Sequence, residues 1–249
     1  MGDGHKKVCE RRFVMDKSTD LVAMIRGTGS VREFTDEPVD DAVLTRILDH
    51  ARFAPNGGNR QAWHVVVMKD PALRTALREL YLGPWRDYFA QTAAGFTPWS
   101  PVGDRELEDK VVDAARASGD YDEIVRDRVE ITFGAPIILA VFGDLERLVA
   151  TDRDLGHYTM VAGASIYPFM WNILLASRSE GLGGVITTMH ARVEPQVRDL
   201  LNVPENLSLA GVMMIGHPVH QPTKLRREPV QNFATVDRFD GNPFGVDPL

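Results

Sequence analysis

The sequence predicts an α+β fold: one domain on a single mixed central sheet, flanked by helices. Three observations carry that reading. Apolar runs of helical and of strand-like period alternate irregularly along the chain, with no internal repeat. The segment His157–Ser177 is apolar on nearly every face, which predicts a helix buried at the centre of the molecule. Beyond Gly216 the chain carries five prolines and little periodicity, which predicts an extended arm lying on another surface.

Taken in order, Ser18, Thr19 and Asp20 are capping types ahead of Leu21–Arg26, a first helix stopped by Gly27 and Gly29. Asp40 precedes a second helix, in which Val43, Ile47, Leu48 and Ala51 recur at helical spacing. Pro55, Asn56, Gly57, Gly58 and Asn59 form a loop by composition, followed by a buried strand at Val65–Val67. Leu73, Leu77 and Leu80 mark a third helix. From Leu82 to about Glu130 the pattern weakens, and Trp85, Tyr88, Phe89, Phe96, Trp99 and Tyr121 lie among glycines, prolines and charges. Pro136–Phe142 predicts a second strand, and His157–Ser177 the central helix, with Pro168 kinking it or marking its first turn. Gly184–Thr188 and Leu207–Ile215 predict two more strands, with a helix from about Pro195 to Leu201 between them. Residues 1–15 are thus expected to be a disordered leader and 16–249 one domain, with 82–130 a cap insertion and 217–249 a C-terminal arm.

The 249 residues are 44% apolar, enough for a sizeable core. A net charge of -7 with both signs interspersed argues against bulk binding to nucleic acid or an anionic membrane, although a local arginine cluster can still hold a phosphate. The single cysteine, Cys9, excludes an intrachain disulfide and a cysteine-rich metal site, and is expected to be an exposed, inert thiol. No metal site is expected. No apolar run reaches the ~18 residues of a membrane span, and the polar start does not read as a secretory signal. The expected compartment is the cytoplasm, and Met15 is an alternative start.

Four segments share one chemical theme. Gly29-Ser30-Val31-Arg32 offers a guanidinium fork and a hydroxyl to a phosphate, or is a turn followed by a surface arginine. In Pro55–Trp63 the pair Gly57-Gly58 lets backbone amides approach a planar ligand, and Asn59 and Gln61 suit a heterocycle edge; an ordinary loop is the alternative. Glu180–Thr188 is glycine-rich but opens a strand rather than a helix, so a Rossmann site is excluded. Lys224, Arg226 and Arg227 are either a solvated patch or a counter-charge to a phosphate. None of the seven histidines stands in a triad or metal spacing; all are expected to be structural or solvated, with His190 the one nearest the glycine-rich strand.

In this order, from about Leu21 to Glu228, the segments resemble the nitroreductase superfamily of FMN proteins. The resemblance implies a nitroreductase-like fold and a domain-interlocked homodimer with two FMN molecules at the subunit interface. The first motif of that family usually reads Arg-Arg-Ser-x-Arg. Ser30 and Arg32 match it, while Thr28 and Gly29 stand where the arginines are usual, so Arg26, Arg226 or Arg227 would supply the charge. The family's Pro-Ser-x-x-Asn-x-Gln-Pro-Trp becomes Pro55–Trp63, with Asn56 for Ser and Ala62 for Pro. The resemblance implies that Pro55, Asn56, Gly57 and Asn59 reach the flavin of the other subunit, and it makes Gln61 a further cofactor-binding candidate. It also places Ile186, Thr187, Thr188 and Met189 against the flavin N5 edge, Thr187 and Thr188 being the catalytic candidates. Lys224, Arg226 and Arg227 correspond to the arm that closes on the phosphate.

The implied activity is an FMN-dependent oxidoreductase that takes electrons from NADPH or NADH and passes them to a nitroaromatic or quinone-like acceptor by a ping-pong mechanism. The flavin carries the redox chemistry and the protein supplies binding, orientation and electrostatics, so no acid–base pair is strictly required. Two other activities stay open: a specialised flavin enzyme, such as a reductive dehalogenase like iodotyrosine deiodinase or a dehydrogenase of a dedicated small substrate, and a non-enzymatic flavin-sequestering protein. A flavin-free interaction domain is the remaining class.

Overall fold

The computed structural model describes residues 17–245, so His5, Cys9 and the expected leader lie outside the described residues. The described chain carries helices α1 (Lys17–Gly27), α2 (Asp41–Ala51), α3 (Pro71–Ala93), α4 (Arg105–Ser118), α5 (Asp122–Phe133), α6 (Tyr167–Ser179) and α7 (Glu194–Leu201). Its strands are β1 (Trp63–Val67), β2 (Ile137–Asp144), β3 (Gly183–Thr187) and β4 (Leu207–Gly216). They form one sheet in the order β1-β2-β4-β3 with antiparallel ladders throughout. The fold is α+β, as expected. The mixed character of the sheet is limited to an isolated parallel bridge between Ser30 and Gly184.

The sheet is covered on both faces, which explains why β2 reads as a continuous apolar run. Side chains alternate across a strand. Leu139 and Val141 therefore meet Ile47 of α2 with Met170 and Ile173 of α6 on one face. Ile138, Ala140 and Phe142 meet Leu77 of α3, Val125 and Val129 of α5 and Val197 of α7 on the other. Burying each such aliphatic side chain contributes about 1.5–3 kcal/mol.

The expected cap is in place, with the Asp40 carboxylate accepting from Ala42 N at the head of α2; Asp70 caps α3 in the same way through Ala72 N. Three boundaries differ. α1 includes Ser18–Asp20 rather than starting after them. α3 continues past Leu80 to Ala93 with Pro84 inside it, because its buried face carries Asp87 and Gln91 as well as Leu77 and Tyr81, which hides the period. The central helix starts at Tyr167, not His157: Pro168 has no N–H to donate and fits the first turn, and residues 157–166 form turns instead.

The segment 82–130 is thus mostly helical. Trp85, Phe89 and Tyr121 pack at the margin of the core, and Trp85 stacks on Tyr81 with ring centroids 5.9 Å apart. Among the described residues the arm beyond Gly216 carries only a 3₁₀ turn at Val230–Asn232 and isolated bridges, and it exposes Phe233, Phe239 and Phe244. Among the described residues no helix is long and apolar enough to cross a membrane.

Candidate functional site

The site grows from the outer edge of β3. Gly183 and Gly184 stand where any side chain would collide: a Cβ on Gly183 would lie 2.7 Å from Val31 Cγ2, and one on Gly184 2.9 Å from the Met214 carbonyl oxygen. With both positions bare, the segment after α1 comes alongside, and Val31 N donates to the Gly184 carbonyl at 2.9 Å. The first and third motifs are therefore one piece of structure. The arm joins them, since a Cβ on Gly29 would meet Leu225 Cδ2 at 2.8 Å and Gln221 Nε2 donates to the Gly27 carbonyl at 3.2 Å.

Between α1, α6 and the arm lies a cavity of ≈ 650 Å³ lined by Ile25, Arg26, Thr28, Trp171, Thr223, Lys224, Leu225 and Arg227. No acidic side chain lines it, and Arg26, Lys224 and Arg227 make no ion pair among the described residues. Thr28 turns its hydroxyl back to donate to the Met24 carbonyl at 2.6 Å. Arg226 lies outside the lining, with its carbonyl accepting from Arg227 Nη1 at 2.8 Å. Arg32 stands apart from this cluster. It lines a second cleft of ≈ 440 Å³ together with Trp85, Arg128 and Thr132.

The second motif is held by its own side chains. Asn56 Oδ1 accepts from Gln61 N at 2.8 Å, Asn56 Nδ2 donates to the Ala54 carbonyl, and Gly57 N donates to Ser165 Oγ at 3.0 Å. Gly58, Asn59 and Gln61 all take left-handed backbone, with φ of 62, 52 and 49°. Pro55, Asn59 and Gln61 are exposed. The loop leads into β1, which lies at the opposite edge of the sheet from β3. One chain therefore brings the first, third and fourth motifs together and leaves the second across the sheet.

At the end of β3 the backbone turns into a 3₁₀ segment, Met189–Val193. Ile186 packs half-buried against the core, Thr188 is exposed, and Met189 N donates to Thr187 Oγ1 at 3.4 Å. Thr187 Oγ1 also shares a buried hydrogen bond of 2.8 Å with Tyr81 of α3. The Tyr81 ring stacks on His190 at 4.8 Å. Burial pushes the Tyr81 phenol up, against the Thr187 bond and the nearby Arg32 guanidinium. His190 is fully buried, and its Nε2 hydrogen-bonds the Leu77 carbonyl at 3.0 Å. A carbonyl only accepts, so Nε2 carries the proton and Nδ1 is left buried with no partner. Burial lowers the pKa of this ring from 6.5 to about 4, so it is neutral near pH 7. Among the described residues no cluster of three or more His, Cys, Asp or Glu could hold a metal ion.

A sequence model of the nitroreductase family matches residues 25–217. The chain belongs to that family. The match takes in the first three motifs and ends before Lys224, so the arm's cations lie outside it. Among curated relatives of this nitroreductase-family chain, an NADH dehydrogenase of Thermus thermophilus is 27% identical over 81% of this chain and 88% of that protein. Human iodotyrosine deiodinase 1 is 23% identical over 93% of this chain and 73% of its own length. Among solved structures, an FMN- and NADPH-dependent nitroreductase from Sphigopyxis superposes with a TM-score of 0.59 at 22% identity, covering 90% of this chain and all of that one (100%).

Tyr81 is the site-adjacent residue that motif reading misses. The signal was there: it falls one helical turn after Leu77, and a tyrosine on a buried helix face needs a partner for its hydroxyl. What cannot be read from the sequence is that the partner is Thr187, at a sequence separation of 106.

Proposed function

We propose that this chain is an FMN-dependent oxidoreductase that uses NADPH or NADH to reduce small aromatic acceptors, nitroaromatic or quinone-like, and that it works as a homodimer. The observation that carries the reading is the cavity of ≈ 650 Å³ in which Arg26, Lys224 and Arg227 converge with no carboxylate among the lining residues. Unpaired cations repel one another, and a dianionic phosphate is the partner that relieves them. FMN carries such a phosphate, and its ring would supply the redox chemistry. The remaining tasks fall to the chain. Arg26, Lys224 and Arg227 hold the phosphate, with Ser30 beside them. Arg26 and the arm thereby replace the arginines missing at Thr28 and Gly29. The Thr187–Met189 turn provides the edge on which the ring rests. Thr187 is already committed to Tyr81, which leaves the exposed Thr188 as the hydroxyl free to donate there.

The homodimer is supported by the sheet order. Pro55, Asn56, Gly57, Asn59 and Gln61 lie at the far edge from the phosphate cavity, so a second copy is the simplest way to bring them to it. The exposed Phe233, Phe239 and Phe244 of the arm favour the same arrangement. The FMN and NADPH dependence of the Sphigopyxis relative supports the cofactor pair. Human iodotyrosine deiodinase 1 supports a second reading, reductive dehalogenation of a halogenated phenol by the same site.

The test is an FMN titration of wild type and Arg227→Ala, followed by NADPH or NADH oxidation with a nitroaromatic, a quinone and an iodophenol in turn. Loss of one charge-assisted contact, about 1.5–3 kcal/mol, should weaken FMN binding about tenfold or more. A wild-type protein that binds no FMN overturns the function. Unchanged affinity in the variant overturns the phosphate grip. Turnover of iodophenol alone moves the assignment to the second reading.

A further inference from the structure

The loop between α3 and α4 contains a residue in the wrong backbone region for its type. Ser100 N donates to the Thr97 carbonyl at 3.1 Å and closes a tight turn, with Pro98 and Trp99 at its centre. Trp99 has φ 52°, a left-handed conformation that turns normally give to Gly or Asn. A bulky residue held there is strained, and strain of this kind persists only where the surroundings enforce it. Here they do. Gln91, only 1% exposed, accepts from Trp99 N through its Oε1 at 3.0 Å, and its backbone carbonyl accepts from Phe96 N at 2.9 Å.

The effect is to hold the indole between Tyr88, whose ring centroid lies 6.2 Å away, and a cation. The Arg192 guanidinium lies 5.0 Å from the Trp99 ring centre, in the same 3₁₀ turn that follows Thr188. Arg192 is exposed and makes no ion pair among the described residues. Glu194, two residues on, makes no ion pair with it; its Oε1 accepts from Leu209 N at 2.8 Å and Ser208 Oγ at 3.1 Å, on the strand side. A guanidinium stacked on an aromatic face keeps its in-plane N–H groups free, and that fork matches a carboxylate.

We propose that Trp99 and Arg192 form a subsite for an anionic substituent, a carboxylate above all, on the aromatic acceptor. The proposal rests on the assignment of the Thr187–Met189 turn to the reacting edge. It makes the enzyme selective for acidic aromatics: Arg192 binds the charged group, and Trp99 fixes the plane and direction of the guanidinium.

The experiment uses FMN-loaded wild type and Arg192→Gln, with 4-nitrobenzoate and 4-nitrobenzamide as acceptors that share a ring and differ in charge. Benzoate and benzamide binding are measured on the same proteins by calorimetry. Wild type should favour nitrobenzoate in kcat/KM, and benzoate in affinity, by about tenfold or more, as one charge-assisted contact allows. The variant should lose that preference mainly through KM, keep its rate on nitrobenzamide within about twofold, and retain its FMN. Trp99→Phe should keep part of the preference. The subsite is overturned if wild type does not discriminate, if both acceptors suffer equally in the variant, or if only the NADPH-to-NADH ratio changes. Arg192-dependent benzoate binding without turnover of either acceptor would instead overturn the reductase reading and leave the subsite standing.

Discussion

Acid should destabilise this protein through His190, and the size of the effect follows from where the ring sits. The imidazole is fully buried, bonded through Nε2 to the Leu77 carbonyl at 3.0 Å and stacked on Tyr81 at 4.8 Å. Burial is the dominant cause that moves its pKa from 6.5 to about 4, and the Leu77 contact opposes it. In the unfolded chain the ring takes up its proton near its ordinary value. The folded pKa is the lower one, so the unfolded state binds more protons between the two. Stability is therefore complete above about pH 6.5 and is lost as pH falls toward about 4. At about 1.4 kcal/mol per pH unit the loss comes to roughly 3 kcal/mol, a large share of the roughly 5–15 kcal/mol that holds a typical domain folded. His190→Gln removes the titration and keeps an N–H for Leu77. Both proteins are unfolded in urea at about pH 7.5 and about pH 4, followed by far-ultraviolet circular dichroism. Carboxylates that also titrate in this range, such as Glu180 beside Arg46, are common to both proteins and cancel. Wild type should lose roughly 3 kcal/mol more than the variant between the two conditions. Equal losses would mean that the ring is not held neutral, and the argument from burial would fail.

Three further outcomes follow from the same region. Tyr81→Phe and Thr187→Val should each cost about 1–3 kcal/mol by stranding a buried partner, and the double variant should cost at least about 1 kcal/mol less than their sum. Additive costs in urea unfolding would show that the hydrogen bond contributes nothing. Trp99→Gly should be more stable than Trp99→Ala by about 1 kcal/mol, because only glycine adopts the left-handed turn freely. In a chain of this length that is about 2–4 °C in thermal unfolding, and equal midpoints would remove the strain. If donor and acceptor use one place in turn, initial-rate plots against NADPH at several acceptor concentrations should be parallel, and intersecting lines would require two separate places.

Elements whose chemistry is local were legible. The Asp40 cap, the β-branched run of β1 and the apolar run of β2 each declare themselves within a few residues, because capping and alternation are short-range effects. The length of α3 was not, since Asp87 on its buried face takes both its hydrogen bonds from Arg116 of α4, 29 residues further on. The site divides in the same way. Residue types able to meet a phosphate were visible, but their grouping was not. Arg26 and Lys224 meet because the arm folds back over Gly29, whereas Arg32, close to Arg26 in the chain, faces another cleft. Tyr81, Trp99 and Arg192 act through contacts between distant segments, which no motif encodes.

The paired glycines of β3 have a mechanical consequence. Because Val31 is seated directly on Gly183 and bonded to Gly184, the strand that ends at Thr187 and the segment that carries Ser30 and Arg32 share one anchorage. A methyl group at either glycine would have to push Val31 off the sheet or tilt the strand beneath it. Either movement is transmitted to both ends at once, like a shim driven under the common foot of two brackets. In the site proposed above, the position of Ser30 and the alignment of the Thr187–Met189 turn thus cannot be retuned separately. Variation that adjusts one without the other has to come from outside this anchorage, from the arm or from the helical wing of α3 to α5.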